Sequence, residues 1–221
     1  MSRPAFASLD FETSDRHVAT ARIVQIGVAI FDDEATPSSG PAATMSLAVA
    51  GGPVAPGALR IHGRDGKTGF PAPLTLPYLV ELLLRLDVPI VTYNGWEFDY
   101  QILAAECNRL ADDAPPRPAS TRAAAYLTCE RLSALPPYLD VYPVVKSFDP
   151  PVGKDNLPAA CYAAGVLGPH PAHDAVADAS ATGRLLLALL RSHADEGWTL
   201  AALADAQAPW REAWRRAHNL P

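Results

Sequence analysis

The amino-acid sequence predicts an α/β fold, in which a mostly continuous β-sheet is covered by helices. Near the start of the chain, Ala7, Leu9 and Phe11 alternate with Ser8 and Asp10, which is the period of a strand. From residue 75 onward, apolar residues recur with the period of a helix, and a short β-branched run separates the helical stretches. Strands followed by strands that alternate with helices are typical of layered α/β domains.

Most of the predicted strands lie in the first part of the chain. Residues 5–11, 22–31 and 44–50 form three of them, and the Pro-, Ser- and Gly-rich stretch 35–43 joins the last two as a hairpin loop. Residues 51–73 contain too many Gly and Pro residues for regular structure, so we expect a long irregular loop there.

Helices dominate the rest of the chain. Thr75 is the expected N-cap of the first helix, and a short buried strand follows at 89–93. The other predicted elements are a helix at 96–111, a connection at 112–121, a helix at 122–134, an extended piece at 138–142, helices at 156–165 and 174–195, and a last helix at 199–218 with Pro209 as a candidate break. We expect residues 1–195 to form one domain, and residues 196–221 a helical extension packed on it.

Composition excludes several classes of protein. The 221 residues carry a formal net charge of −6, so the chain does not coat nucleic acid by bulk attraction. Carboxylates that collect divalent cations would still allow an anionic substrate. Three cysteines without a Cys-x-x-Cys pair predict buried thiols rather than a disulfide framework or a zinc site. Without a signal peptide or a membrane-length apolar run, we expect a soluble, cytoplasmic protein with no membrane contact.

Two acidic residues stand on the first predicted strand. Asp10 and Glu12 are two positions apart, so they project from the same face, with Cα atoms about 7 Å apart. This spacing suits two carboxylates that share hard cations. A solvent-facing acidic strand is the alternative, but the flanking "FASLDFE" is apolar, and ionised groups in such surroundings require a reason.

A third carboxylate follows the buried strand at 89–93. Asp99, in "NGWEFD", falls in the first turn of the next helix, at the sheet edge where sites form in α/β folds. The helix dipole also favours an acid there without any further role. Asn94, at the strand end, is expected to cap rather than to touch substrate.

The stretch "HPAHDAVADA" begins the longest helix and offers two histidines and two aspartates. Asp174 is well placed as N-cap or first-turn acid, which needs no further role. Asp178 lies one turn further on, among small alanines that allow close approach. His173 has an aspartate five residues later, whereas His170 has none.

The segments "LDFET", "NGWEFD" and "HDAVADA", in this order, resemble the three motifs of the DEDDh exonuclease superfamily. That superfamily includes the proofreading epsilon subunit of bacterial DNA polymerase III, RNase T and oligoribonuclease. The His-x4-Asp spacing of His173 and Asp178 is similar to the spacing in the histidine branch of this superfamily. The segments "IHG" and "KDNLPAACYAAG" add to the resemblance, which extends from residue 5 to about residue 192. Ser14-Asp15 and Tyr93 depart from the family pattern.

The resemblance implies a ribonuclease H-like fold with a mixed five-stranded sheet, and a two-metal mechanism. Asp10, Glu12, Asp99 and Asp178 would bind two Mg²⁺ or Mn²⁺ ions, with Asp10 bridging them. His173 would take the proton from the attacking water. The implied product is a nucleoside 5′-monophosphate released from the 3′ end of single-stranded DNA or RNA, and a polymerase and a second copy of the chain are the candidate protein partners.

Contacts to the substrate are a further expectation. Thr13, His62, Trp96 and Phe98 belong to segments that would border the site, with core packing as the alternative for each. Arg60, Arg64 and Lys67 would meet phosphates or form a solvated basic loop. The last helix sets Trp210 and Trp214 on one face, which predicts packing onto the domain ahead of a partner or nucleic-acid contact.

Two other functions compete with the exonuclease. An RNase H-type endonuclease also assembles four carboxylates, but the position of His173 and the order of the motifs favour the exonuclease. A nuclease-like module that binds nucleic acid or a polymerase without cutting is the non-enzyme alternative. The intact carboxylates argue against it.

Overall fold

The computed structural model describes residues 2–112, 135, 138–148, 156–166 and 173–217. Within these ranges the strands are β1 (Pro4–Thr13), β2 (Ile23–Asp32), β3 (Ala43–Ala50), β4 (Phe70–Pro71), β5 (Ile90–Thr92) and β6 (Tyr138–Asp140). The helices are α1 (Pro56–His62), α2 (Ala72–Leu86), α3 (Asp99–Asp112), α4 (Val141–Phe148), α5 (Leu157–Ala163), α6 (Ala175–Ser192) and α7 (Leu200–Ala217), with a 3-10 turn at Ala194–Glu196.

The strands form one mixed sheet in the order β4-β3-β2-β1-β5-β6. β1, β2 and β3 run antiparallel, as hairpin-connected strands do, whereas β5 and β6 run parallel to β1. The predicted α/β class with a mixed, helix-covered sheet is therefore confirmed. The sheet has six strands rather than five, because the two residues of β4 pair in parallel with the end of β3.

Helices cover both faces of this sheet. Because successive side chains of a strand point to opposite faces, Leu9 and Phe11 of β1 join a core with α2 and α3, while Phe6 joins a second core with α4, α5 and α6. Asp10 and Glu12 share the even-numbered face of β1 with Phe6. These two carboxylates therefore face the layer that contains α6.

A glycine on β2 lets α6 approach the sheet. A Cβ atom added at Gly27 would lie 2.1 Å from the carbonyl carbon of Ala175, the first residue of α6. Gly27 is also the cross-strand partner of Asp10. The start of α6 is thus pressed onto the sheet directly beside Asp10.

Several expectations for the middle of the chain are wrong. Residues 51–73 are not wholly irregular, because α1 and β4 lie within them. Pro56 begins α1, where its missing N–H costs nothing, and Gly63 ends α1 in the left-handed conformation (φ 70°). Thr75 is not an N-cap: α2 begins earlier, and the Thr75 hydroxyl donates to the carbonyl of Pro71.

Other predicted elements compare as follows. The extended piece ends at Asp140, and α4 follows at once, which the sequence pattern did not predict. Pro209 lies inside α7 without ending it. The predicted helix at 122–134, Cys129 and His170 lie outside the described residues, while Cys107 and Cys161 are buried thiols, as predicted. None of the helices in the described ranges combines the length and apolarity that crossing a bilayer requires.

Candidate active site

Asp10 and Glu12 lie near the carboxyl end of β1. Glu12 is buried, with 8% of its surface exposed, and Asp10 is partly buried. The residue opposite Glu12 on β2 is Gln25, whose amide reaches across to the start of α6. It donates to the Asp174 carboxylate at 3.1 Å, and its oxygen accepts from the backbone N–H of Ala175 at 3.1 Å. This amide therefore ties the helix start to the strand that faces Glu12.

Asp99 is the first residue of α3 and reaches back to β1. β5 pairs with β1 only at Ala7 and Ser8, so the β1 backbone beyond them lies open on that side. The N–H of Phe11 fills the gap by donating to the Asp99 carboxylate at 3.1 Å. Since Phe11 lies between Asp10 and Glu12, this bond holds the third carboxylate beside the first two.

Another acidic residue near this edge, Asp140, was not identified from the sequence. It ends β6, is 2% exposed, and its Oδ1 accepts from the N–H groups of Asn94 at 2.7 Å and Tyr142 at 3.0 Å. Its Oδ2 accepts from the N–H of Trp96 at 3.2 Å. The signal that could have revealed it is an acid at the end of a short extended segment, since sites in α/β folds form at the sheet edge where strands end, the argument that also applied to Asp99.

The start of α6 brings the third motif to the same place. Asp174 is the N-cap, as predicted, and accepts from the N–H of Ala177 at 3.3 Å. His173 precedes it in the left-handed conformation (φ 67°), and its N–H donates to the Asp178 carboxylate at 3.2 Å. A ring nitrogen of His173 and carboxylate oxygens of Glu12 and Asp178 all lie within 4.8 Å of one another. The two carboxylates offer oxygen donors suited to a divalent metal ion, and the ring of His173 lies beside them.

The segment after α1 borders the site through two residues. His62 Nδ1 accepts from the N–H of Arg64 at 3.1 Å, so Nε2 carries the proton and donates to the carbonyl of Thr13 at 3.1 Å. Burial lowers the pKa of His62, which keeps this neutral form. The guanidinium of Arg64 pairs with Asp174 at 2.9 Å. The segment is thereby linked to both β1 and α6.

The remaining predicted contact residues have varied surroundings. The Thr13 hydroxyl donates to the carbonyl of Asp15 at 2.8 Å, next to the Ser14-Asp15 pair that differs from the family pattern. Phe98 packs against the core shared with α2 and α3, and Trp96 is partly buried beside Asp140. Asn94, which was expected to cap, is not the N-cap of α3, because that helix begins at Asp99; Asn94 is exposed and adopts the left-handed conformation (φ 60°).

Crowding of negative charge dominates the electrostatics. Burial, followed by the charges of Asp99 and Asp178, raises the pKa of Asp10 well above its usual range. Burial and Asp178 raise the pKa of Glu12 to about 7. Burial and the Asp140 charge raise the pKa of Asp99 to about 8, against the opposing hydrogen bond from Phe11. A divalent cation would relieve this repulsion, because carboxylate oxygens are the ligands that hard cations prefer.

Comparisons by sequence and by structure give different results. No family model matches the sequence, and no curated protein does. The fold, however, is similar to that of E. coli exonuclease I. The zinc-ion-bound complex of that enzyme with single-stranded DNA has a TM-score of 0.62 at 18% identity, over 86% of this chain and 41% of the other.

Further solved forms of the same enzyme agree. A structure of exonuclease I described as suggesting how processivity is achieved has a TM-score of 0.62 at 19% identity, over 92% of this chain and 43% of the other. A product-bound form has a TM-score of 0.61 at 17% identity, over 86% and 44%. The chain thus spans less than half of the length of these neighbours. Its fold is the ribonuclease H-like fold of these neighbours, which are forms of E. coli exonuclease I, a DEDDh 3′–5′ exonuclease.

Proposed function

We propose that the chain is a metal-dependent 3′–5′ exonuclease, which hydrolyses phosphodiester bonds of single-stranded DNA or RNA and releases nucleoside 5′-monophosphates. The observation that carries the proposal is the convergence of acids from three distant segments at one sheet edge, with a histidine ring within 4.8 Å of two of the carboxylates. Exonuclease I neighbours solved with a DNA oligonucleotide support single-stranded nucleic acid as the substrate class.

The proposed metal ligands are the four carboxylates of Asp10, Glu12, Asp99 and Asp178. Their oxygen donors, and the raised pKa values of Asp10, Glu12 and Asp99, fit hard divalent ions such as Mg²⁺ or Mn²⁺, because bound cations offset the repulsion among the carboxylates. When bound, two such ions neutralise charge on the scissile phosphate and lower the pKa of water. The chain's part is to hold the carboxylates together, which β1, the bond from Phe11 to Asp99 and the start of α6 all do.

His173 is the proposed general base. Its side chain is exposed, so it can reach a water molecule at the site and accept that proton on a ring nitrogen. The backbone of His173 is held by Asp178, and the N-cap Asp174 follows it directly. We therefore expect the ring to keep its place when the substrate enters.

The proposed substrate contacts differ in kind. Both ring nitrogens of His62 are already hydrogen-bonded, so we propose that it supports the wall of the site at Thr13 rather than reading a base. Trp96 is only partly buried and is proposed to stack on a nucleobase, an interaction worth about 1–3 kcal/mol. Thr13 and Phe98 remain predicted contacts, and the cytoplasmic location remains a prediction. No described residue points to a polymerase or to a second copy of the chain as partner.

Cleavage of end-labelled oligonucleotides tests the proposal. The wild-type chain and the variants Asp10→Asn, His173→Ala and Asp205→Asn are incubated with 5′-labelled single-stranded DNA and RNA, with Mn²⁺ or with EDTA. We expect a ladder that shortens from the 3′ end only with Mn²⁺, and none for Asp10→Asn. The turnover of His173→Ala should fall by about 10² to 10⁴. Asp205, which is exposed on α7, serves as the matched control.

Three results would contradict the proposal. Internal cuts would indicate an RNase H-type endonuclease. Binding of either oligonucleotide without cleavage would indicate a nuclease-like binding module. Full activity of Asp10→Asn at the same Mn²⁺ concentration would remove the carboxylate cluster as the metal site.

A further inference from the structure

The side chain of Gln207 on α7 is paired with the backbone of Asp140. Its Nε2 donates to the carbonyl of Asp140 at 2.7 Å, and its Oε1 accepts from the N–H of the same residue at 2.9 Å. Gln207 is 1% exposed. The amide thus makes the two hydrogen bonds that a neighbouring strand would make at the outer edge of β6, and fixes the backbone of Asp140 on both sides.

The carboxylate of Asp140 in turn holds the loop that leads into Asp99. It accepts from the N–H groups of Asn94 and Trp96, at 2.7 and 3.2 Å. These bonds hold a loop in which Asn94 adopts the left-handed conformation, which is uncommon for residues other than glycine. Gly95 lies against the Thr92 side chain and leaves no room for a Cβ atom.

The same loop fixes the start of α3. The carbonyl of Gly95 accepts from the N–H of Tyr100 at 2.9 Å, and that of Phe98 accepts from Ile102 at 2.9 Å. Asp99 lies between these bonds and must reach the N–H of Phe11 on β1. A shift of the loop would therefore move Asp99 away from Asp10 and Glu12.

We propose that Asp140 and Gln207 are positioning residues for Asp99, which connect helix α7 to the metal-binding edge of the sheet. This inference rests on the proposed function of the carboxylate cluster. Neither Asp140 nor Gln207 belongs to the proposed set of metal ligands. They act through the backbone of residues 94–98.

Direct measurement of Mn²⁺ binding, together with kcat and KM on single-stranded DNA, tests the inference in the full chain. Gln207→Met keeps the length of the side chain but loses both hydrogen bonds, and Asp140→Asn keeps an acceptor at Oδ1 but places an NH₂ group against the N–H of Trp96. Asp140→Ala removes every acceptor. Asp99→Asn is the reference for loss of a ligand, and the exposed Asp205 on the same helix supplies the control, Asp205→Asn.

The expected order of Mn²⁺ affinity is wild type and Asp205→Asn highest, then Gln207→Met and Asp140→Asn, then Asp140→Ala. The loss for Asp140→Ala is at least about 10-fold, as for other residues that orient metal ligands. We expect kcat to fall while KM for DNA stays nearly constant, and excess Mn²⁺ to restore much of the rate in Gln207→Met. A residue with a purely structural role would lower folded yield without moving the Mn²⁺ dependence.

Two different failures are distinguishable. If Asp99→Asn loses Mn²⁺ binding while Gln207→Met and Asp140→Asn bind as the wild type does, the positioning inference is overturned and the proposed function stands. If the wild type binds no Mn²⁺, or Asp99→Asn binds it unchanged, the proposed function is overturned and the inference with it. Should Asp140→Ala fail to fold, the other two variants still decide the outcome.

Discussion

Asp174 and Asp178 lie one turn apart at the start of α6, yet their surroundings assign them different tasks. Asp174 caps the helix and is paired with Arg64 and Gln25, and its pKa is lowered by the hydrogen bonds that offset its partial burial. Asp178 faces Glu12 and the ring of His173. Asp174 therefore stabilises the start of the helix, whereas Asp178 is placed to bind a cation together with Glu12.

Exchange of each aspartate for asparagine tests this division. Asp174→Asn keeps a good N-cap, and the partly buried ion pair with Arg64 that it loses is worth about 1 kcal/mol, so we expect cleavage rates within about fivefold of wild type. Asp178→Asn should lower the rate at least about 100-fold, because even residues that only orient a ligand cost about 10- to 100-fold. Steady-state cleavage of labelled DNA measures both. Equal losses would mean that the two roles are wrongly assigned.

Individual site residues were predictable to the extent that their spacing in the chain carries information. Asp10 and Glu12 share a face because they are two apart on a strand, and His173 and Asp178 have a recognisable separation. Asp140 has no such partner in the sequence. Its role comes from the pairing of β5 with β6, which brings the N–H groups of Asn94 and Trp96 to its carboxylate across more than forty residues of chain.

At the scale of elements, the site depends on how closely α6 approaches β2. Gly27 leaves no room for a side chain, since an added Cβ would also lie 2.4 Å from the backbone nitrogen of Val176. The glycine was not predictable as a contact point, because the sequence of β2 shows only an apolar strand. What the sequence does contain is the matching feature on α6, a helix start rich in alanine.

The substitution Gly27→Ala should therefore separate the start of α6 from the sheet. We expect a loss of about 1–3 kcal/mol in the free energy of unfolding, the usual cost of overpacking, together with reduced cleavage because His173 and Asp178 move with the helix. Gly57→Ala is the control: it lies in α1, meets nothing within 4 Å, and should be neutral or stabilising. Urea denaturation measures both variants. An unchanged midpoint for Gly27→Ala would contradict the close approach.

Helix α1 shows why the segment before α2 was misjudged. Its Gly and Pro content suggested a loop, but Pro56 and Gly63 mark the two ends of a short helix rather than interrupting one. The helix has no buried residue of its own, so no apolar period indicated it. Its place is fixed instead by His62, through the carbonyl of Thr13.

At the scale of the whole molecule, the carboxylate cluster links stability to pH. The pKa of Glu12 is raised from 4.5 to about 7 on folding, so between these values the folded chain holds more protons than the unfolded chain. The free energy of unfolding then falls as pH rises through that window. Asp99, raised from 3.8 to about 8, acts in the same direction over a wider range. The net charge of −6 adds general repulsion as the pH increases.

If the carboxylates bind divalent cations as proposed, these cations should reverse this loss, because only the folded chain assembles the site. We expect the metal-free Tm to fall between about pH 5 and about pH 8, and saturating Mn²⁺ to raise it much more at the higher pH. Glu12→Gln removes one of the raised groups, so its metal-free Tm should fall less over the same window and respond less to Mn²⁺. Differential scanning fluorimetry of wild type, Glu12→Gln and Asp205→Asn compares the three slopes. If Tm falls equally with pH in wild type and Glu12→Gln, the charge of Glu12 does not contribute to the loss of stability. If Tm falls less in Glu12→Gln but as much as in wild type in Asp205→Asn, the repulsion arises within the carboxylate cluster.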